Sequence, residues 1–164
     1  GGSPGPRAIR PSTVMAAMTA ALNLTHVVAA EPSDVFDLWT TTAGLDQWWW
    51  IHWVNVCRSA DPRLGGSYLL EAPDQGITVR GEFTTFDRPS RLAFTWIWAD
   101  GDGDGPDESV EVRLTPVEID DSVSTQIELT HSGPWTTAEQ PDNYRQGWKF
   151  VLNELSEAVA NRTT

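Results

Sequence analysis

The chain has 164 residues, with 23 acidic side chains against 11 Lys and Arg and a formal charge of -12. That length suits one domain with a sizeable core. So acidic a balance argues against nucleic acid and anionic membrane surfaces, whose phosphates need basic neutralisation. The single cysteine, Cys57, leaves no internal disulfide and no cysteine metal cluster.

Residues 1–21 are rich in Gly, Pro, Ser and Ala, and Gly1-Gly2-Ser3 has the look of a cloning remnant, with Met15 or Met18 as candidate starts. This arm is expected to lie outside the fold, and the domain to run over 22–161. The stretch from Val14 to Leu24 is only mildly apolar and does not read as a signal peptide. No run approaches the ~20 apolar residues of a membrane span. A cytoplasmic address fits.

Leu22 to Ala29 alternates as a first strand. Pro32 and Asp34 then open a helix carrying Val35, Phe36, Leu38 and Trp39, and a second short helix is expected over 42–49 with Leu45, Trp48 and Trp49 as its apolar face. From Gly65-Gly66 the period becomes two. Strands follow over 67–72, over 77–86 with Gly81 as a bulge or close-approach site, and over 91–99. A hairpin over 109–119 and 122–131 turns at Asp120-Asp121. Consecutive strands joined by short turns imply an antiparallel meander. The tail over 140–160 is one long helix with Tyr144, Trp148, Val151, Leu152, Leu155 and Val159 on a stripe, interrupted by Gly147 at its edge.

Little in the chain marks an enzyme. His26, His52 and His131 lie in unrelated elements, no nucleophile sits beside a base, and no Gly-rich loop joins a strand to a helix. No cofactor is called for. Asp100, Asp102, Asp104, Gly105 and Glu111 match the spacing of a calcium loop, but strands flank them, so the segment reads as a mobile acidic hairpin loop. Nine tryptophans, by contrast, exceed what a core of this size needs. Large, flat and carrying one donor, tryptophan suits the wall of a pocket for an aromatic ligand, although each one singly is as readily a core residue.

The order of elements resembles the START-like (SRPBCC) superfamily, in particular the branch named after the activator of the heat-shock-protein-90 ATPase. The resemblance runs from Leu22 to Val159. Its carriers are the strings from Pro32 to Thr40, Leu45 to Trp49, Gly65 to Tyr68, Gly81 to Phe83, Arg91 to Trp96, Leu129 to Gly133, and Gly147-Trp148. It implies an α+β helix-grip fold, a curved antiparallel sheet around the long C-terminal helix with two short helices after strand 1.

The resemblance also implies a cavity between sheet and helix. Its walls would be Tyr68, Leu70, Phe83, Phe94, Trp96, Trp98, Val112, Leu114, Ile127 and Leu129 from the sheet, with Tyr144, Gly147, Trp148, Val151, Leu152 and Leu155 from the helix. Tyr68, His131 and Tyr144 would be its polar anchors. The expected function is binding of a hydrophobic, aromatic, natural-product or polyketide-like molecule by a monomer or weak dimer. Sequestration, transport or self-resistance would be its purpose. Enediyne self-resistance by backbone cleavage at a glycine, Gly81 or Gly147, is one form. A polyketide cyclase or aromatase using His131 or a tyrosine, and a chaperone-associated interaction module, are the alternatives.

Overall fold

The computed structural model describes residues 21–137 and 139–162. The arm expected over 1–21 falls, but for Ala21, outside them. The elements in order are β1 (Leu22–Val28), α1 (Pro32–Thr40), α2 (Thr42–Leu45), β2 (Cys57–Ala60), β3 (Ser67–Ala72), a 3-10 turn (Pro73–Gln75), β4 (Ile77–Asp87), β5 (Arg91–Asp100), β6 (Gly103–Asp104), β7 (Glu108–Ile119), β8 (Ser122–Ser132) and α3 (Glu139–Arg162).

Every strand pairing is antiparallel, in the spatial order β1-β8-β7-β5-β4-β3-β2 with β6 beside β5. Asp120 and Asp121 both take positive φ, as a two-residue hairpin turn requires. The first strand closes the order from the other end, with Leu22 opposite His131. Alternate residues Val110, Val112 and Leu114 of β7, and Ile127 and Leu129 of β8, are buried on one face. Against that face lies α3, burying Trp148, Val151, Leu152, Leu155 and Val159. Its Trp148 ring packs on Trp96 of β5 at 5.3 Å, and its Ser156 hydroxyl meets His26 Nε2 of β1 at 2.7 Å. This is the helix-grip arrangement, an α+β fold with α1 and α2 inserted after the first strand. Among the described residues no helix is long and apolar enough to cross a membrane.

At the rim, α1 caps the β4–β5 hairpin. Phe36 meets Phe86 edge-on at 5.0 Å, and Arg88 forks onto both carboxylate oxygens of Asp37 at 2.9 Å. The second helix is shorter than its apolar pattern predicts. It ends at Leu45, and the chain continues in turns through the three consecutive tryptophans. Successive helical residues point about 100° apart, so a helix would turn one of three indoles to solvent. Instead Trp48, Trp49 and Trp50 are all buried. The Trp48 indole donates to Leu38 O at 2.7 Å, and Arg58 Nε donates to Trp49 O at 2.6 Å. Two short strands, β2 and β6, carry no apolar alternation and were not expected from the sequence.

Gly81 is a close-approach site. A Cβ there would stand 2.0 Å from Thr95 O, the same carbonyl that accepts the Tyr68 hydroxyl. The register shift in this pair of strands lies further on, between Phe83 and Thr85. Gly81→Ala should therefore destabilise the fold by about 1–3 kcal/mol through forced backbone displacement. Urea unfolding of the variant beside wild type measures it, and an unchanged midpoint would contradict the packing described.

The acidic segment folds back, with Gly103 and Asp104 pairing against β5. The carboxylates of Asp100, Asp104 and the nearby Glu111 already have partners. Asp104 accepts from both terminal nitrogens of Arg80, at 3.2 and 2.6 Å, a contact that holds its carboxyl below the usual range. Asp100 accepts from the Trp98 indole and from the Asp102 amide, and Glu111 is paired with Arg91 and Arg113. Calcium would have to displace three arginines, Arg80, Arg91 and Arg113. Micromolar calcium should leave the amide shifts of residues 100–107 unchanged, and a saturable response centred there would refute this.

Candidate functional site

Where the first half of α3, the end of β5, the turns after α2 and the segment after β8 converge, a cleft of about 660 Å³ opens. Its walls are aromatic: Trp49, Trp50 and Trp53 from the turns, Trp96 and Trp98 from β5, Trp135 from beyond β8, and Tyr144, Trp148 and Phe150 from α3. Gln140, Asn143 and Gln146 add neutral polar groups from the helix, and Glu108, the first residue of β7, adds a carboxylate.

A line of hydrogen bonds fixes that carboxylate. Trp148 Nε1 donates to His131 Nδ1 at 3.0 Å, so Nδ1 carries no hydrogen. The neutral ring therefore bears its proton on Nε2 and donates to Glu108 Oε1 at 2.8 Å. Glu108 Oε2 accepts from Trp135 Nε1 at 3.2 Å. Burial pushes the His131 imidazolium below its ordinary range, against the pull of Glu108. The Tyr144 ring lies over His131, centroids 4.4 Å apart. Burial, with the neighbouring Glu108 charge, raises the Tyr144 hydroxyl well above its usual range, so it stays a phenol.

Glycine makes the line possible. A Cβ at Gly133 would press the Trp135 indole at 2.7 Å and Glu108 Cγ at 2.8 Å. On the other wall, the turn bearing Trp50 and Trp53 is held by Arg58, whose guanidinium meets the carbonyls of Trp49 and Trp50. Behind it the buried Glu154 carboxylate faces the backbone N–H groups of residues 50–52, none of which reaches good hydrogen-bond geometry. Burial raises its carboxyl above the ordinary value, partly offset by those amides and by His52.

Of the residues expected to wall a cavity, Trp96, Trp98, Tyr144, Gly147, Trp148 and Val151 border this cleft. Tyr68, Leu70, Phe83 and Phe94 surround a separate void of about 20 Å³, shared with Trp39, Leu45, Trp49 and Trp96. Val112, Leu114, Ile127, Leu129, Leu152 and Leu155 border neither and are packed in the core. His131 points inward as expected, but it is fully buried with both nitrogens engaged, so it orients Glu108 and does not face the cleft. Tyr68 spends its hydroxyl on Thr95 O. Sequence reasoning missed Glu108, Trp135, Trp49, Trp50, Trp53 and Phe150. Glu108 was within reach, because it shares the inward phase of Val110 and Val112.

The His131 environment has a pH signature. Unfolded, its imidazole takes up a proton near the ordinary value of about 6.5; folded, it does so only at lower pH. The resulting stabilisation is complete above the unfolded value and is lost as pH falls through it toward the folded one. His26, also lowered by burial, acts the same way. Unfolding measured at pH 7.5 and 5.5 should show a loss on acidification that is smaller in His131→Gln than in wild type. Equal losses would mean that His131 titrates normally in the fold.

The comparisons with known proteins agree with this architecture. The model of the family described as Activator of Hsp90 ATPase homolog 1-like protein matches residues 29–160. No curated protein matches. Among solved structures, DynU16, a protein in the dynemicin biosynthetic locus, superposes with a TM-score of 0.65 at 19% identity, covering 84% of this chain. The chain spans only 46% of DynU16's length. CalU16 from Micromonospora echinospora gives a TM-score of 0.63 at 24% identity, over 87% of this chain and 78% of that one. The AHSA1 protein from Silicibacter pomeroyi gives 0.67 at 24%, over 87% and 99%. At these identities the likeness is one of fold.

Proposed function

We propose that this chain, which belongs to the family of Activator of Hsp90 ATPase homolog 1-like proteins, binds a hydrophobic, aromatic small molecule in its tryptophan-lined cleft. One observation carries the reading: indoles from β5, α3, the turns after α2 and the segment after β8 all face one opening of about 660 Å³. That volume lies in the range of small-molecule sites, which are mostly apolar with a few placed polar groups. Flat aromatic walls favour a flat aromatic occupant, through offset-stacked and edge contacts of about 0.5–1.5 kcal/mol each beyond area burial.

The role served would be sequestration, transport or self-resistance toward a natural-product or polyketide-like compound, in the cytoplasm, by a monomer or weak dimer. The fold shared with a protein of the dynemicin biosynthetic locus supports that direction. Enediyne self-resistance would draw on Gly147, which borders the cleft, and not on Gly81, which lies against Thr95. A cyclase-like enzyme is the second reading. It is favoured by Glu108, a carboxylate oriented by His131 beside the cleft.

Gly147 offers the test. A Cβ there would meet nothing within 4 Å, so a larger side chain enters the cleft without disturbing the core. Leucine is also the better helix former. A planar polycyclic aromatic should quench tryptophan fluorescence of wild type saturably, and Gly147→Leu should weaken its binding by about tenfold or more. Equal affinity in the folded variant would show that the cleft is not the site. Turnover of the ligand, lost in Glu108→Gln, would instead promote the enzyme.

A further inference from the structure

We infer that the ligand of the cleft is an aromatic cation: a planar ring system carrying a protonated amine whose N–H groups bond the Glu108 carboxylate. The inference rests on the cleft being an aromatic-binding site and adds the chemistry of the ligand's polar end.

Glu108 is the one formally charged side chain among the described residues that line the cleft. Its side chain is 4% exposed. The donors holding it, His131 Nε2–H and Trp135 Nε1–H, are both neutral, because the Trp148 indole keeps His131 Nδ1 free of a proton. Among the described residues no Arg or Lys forms an ion pair with it; its salt-bridge partner is His131 alone. A buried carboxylate without a cation is costly to hold, and it is retained where something completes it. Each oxygen accepts one close hydrogen bond and the neutral Tyr144 phenol also faces the carboxylate, leaving about one of its four acceptor positions for a ligand.

The surroundings favour a cation independently of Glu108. Trp96, Trp98, Trp135, Tyr144 and Trp148 present ring surfaces around the same space. The faces of such rings attract a positive centre held within about 6 Å. The remaining polar lining groups, Gln140, Asn143 and Gln146, carry no charge that would repel it. The net charge of -12 raises the local concentration of cations and lowers that of anions. An anionic ligand would meet Glu108 with no compensating base. A neutral alcohol could bond to Glu108 but would leave its charge uncompensated.

Three probes of one ring system separate these cases: 9-(aminomethyl)anthracene, 9-anthracenemethanol and 9-anthracenecarboxylate, titrated against the full chain by tryptophan quenching at neutral pH. The amine should bind about tenfold or more tighter than the alcohol, and the carboxylate weakest of the three. In a site without a counterion the order of amine and alcohol reverses, since the ammonium is the costlier group to desolvate. Added salt should weaken the amine and leave the alcohol unmoved. In Glu108→Gln the preference for amine over alcohol should vanish. If that variant does not fold, the wild-type order and its salt dependence decide alone. Equal binding of amine and alcohol to wild type overturns the cation while leaving the aromatic site standing. Failure of all three probes to bind overturns both.

Discussion

Trp148 on α3, His131 on β8, Glu108 at the head of β7 and Trp135 beyond β8 are joined end to end by hydrogen bonds that all run toward the carboxylate. An indole can only donate, so an indole at each end forces every bond in the line to point inward. His131 is then held neutral in one tautomer, and the carboxylate is the one member able to carry charge. The line also ties three elements together, since α3, the last strand and the strand before it cannot shift against one another without leaving a buried polar group unpaired. The cleft's geometry follows from this. Trp148 and Trp135 are wall residues, and Glu108 sits between them because each donates toward it, directly or through His131.

The position of the open space has a separate cause. A curved sheet gripping a helix leaves room on its concave side, and here three indoles take it. Trp39 stacks on Trp148 with centroids 6.0 Å apart and planes 16° from parallel, Trp48 lies against Trp39 at 5.0 Å, and Trp49 meets Trp148 edge-on at 5.6 Å. What remains beside Tyr68, Phe83 and Phe94 is about 20 Å³, room on the order of a single water and far short of the roughly 300 Å³ or more of a small-molecule site. The opening is displaced to the end of the grip, where Gly147 and the neutral amides of α3 border it.

The fold was legible because its signals are periodic. Alternation over 109–119 and 122–131, the aspartate turn between them and the stripe on the last helix each specify one geometry, and the first strand's pairing with the last completes the sheet. The site was legible only in part. Phase along a strand tells which side chains face inward, so Trp96 and His131 were placed correctly on the inner face. Phase does not tell whether an inward side chain meets a cavity or another side chain. Val112 and Trp98 share that property and differ in this one. The turns after α2 escaped notice for a further reason: Trp49, Trp50 and Trp53 lie in an irregular segment with no period to read, held by Arg58 through the carbonyls of Trp49 and Trp50. Glu108 was hidden by its charge, since an acid at the start of a strand is more often solvated than turned inward.

Two acids are buried here, and they stand in different states of satisfaction. Glu108 has a hydrogen bond on each oxygen; Glu154, against the opposite wall, has none of good geometry and faces amides at a distance. A fold selected for stability alone would replace both with apolar side chains of similar size, since a carboxylate held from water offsets its desolvation only when fully bonded. Their placement makes sense as support for the walls. Glu108 lies between Trp148 and Trp135 and at the cleft itself, whereas Glu154 lies behind the turn that carries Trp50 and Trp53. The well-bonded acid is the one that borders the cleft. The poorly bonded acid backs a segment with Trp50 in a positive-φ conformation and with Ile51 and Val54 exposed beside it. One wall of the cleft is thus held by the sheet and the long helix, and the other rests on a turn tied to β2 through the Arg58 guanidinium.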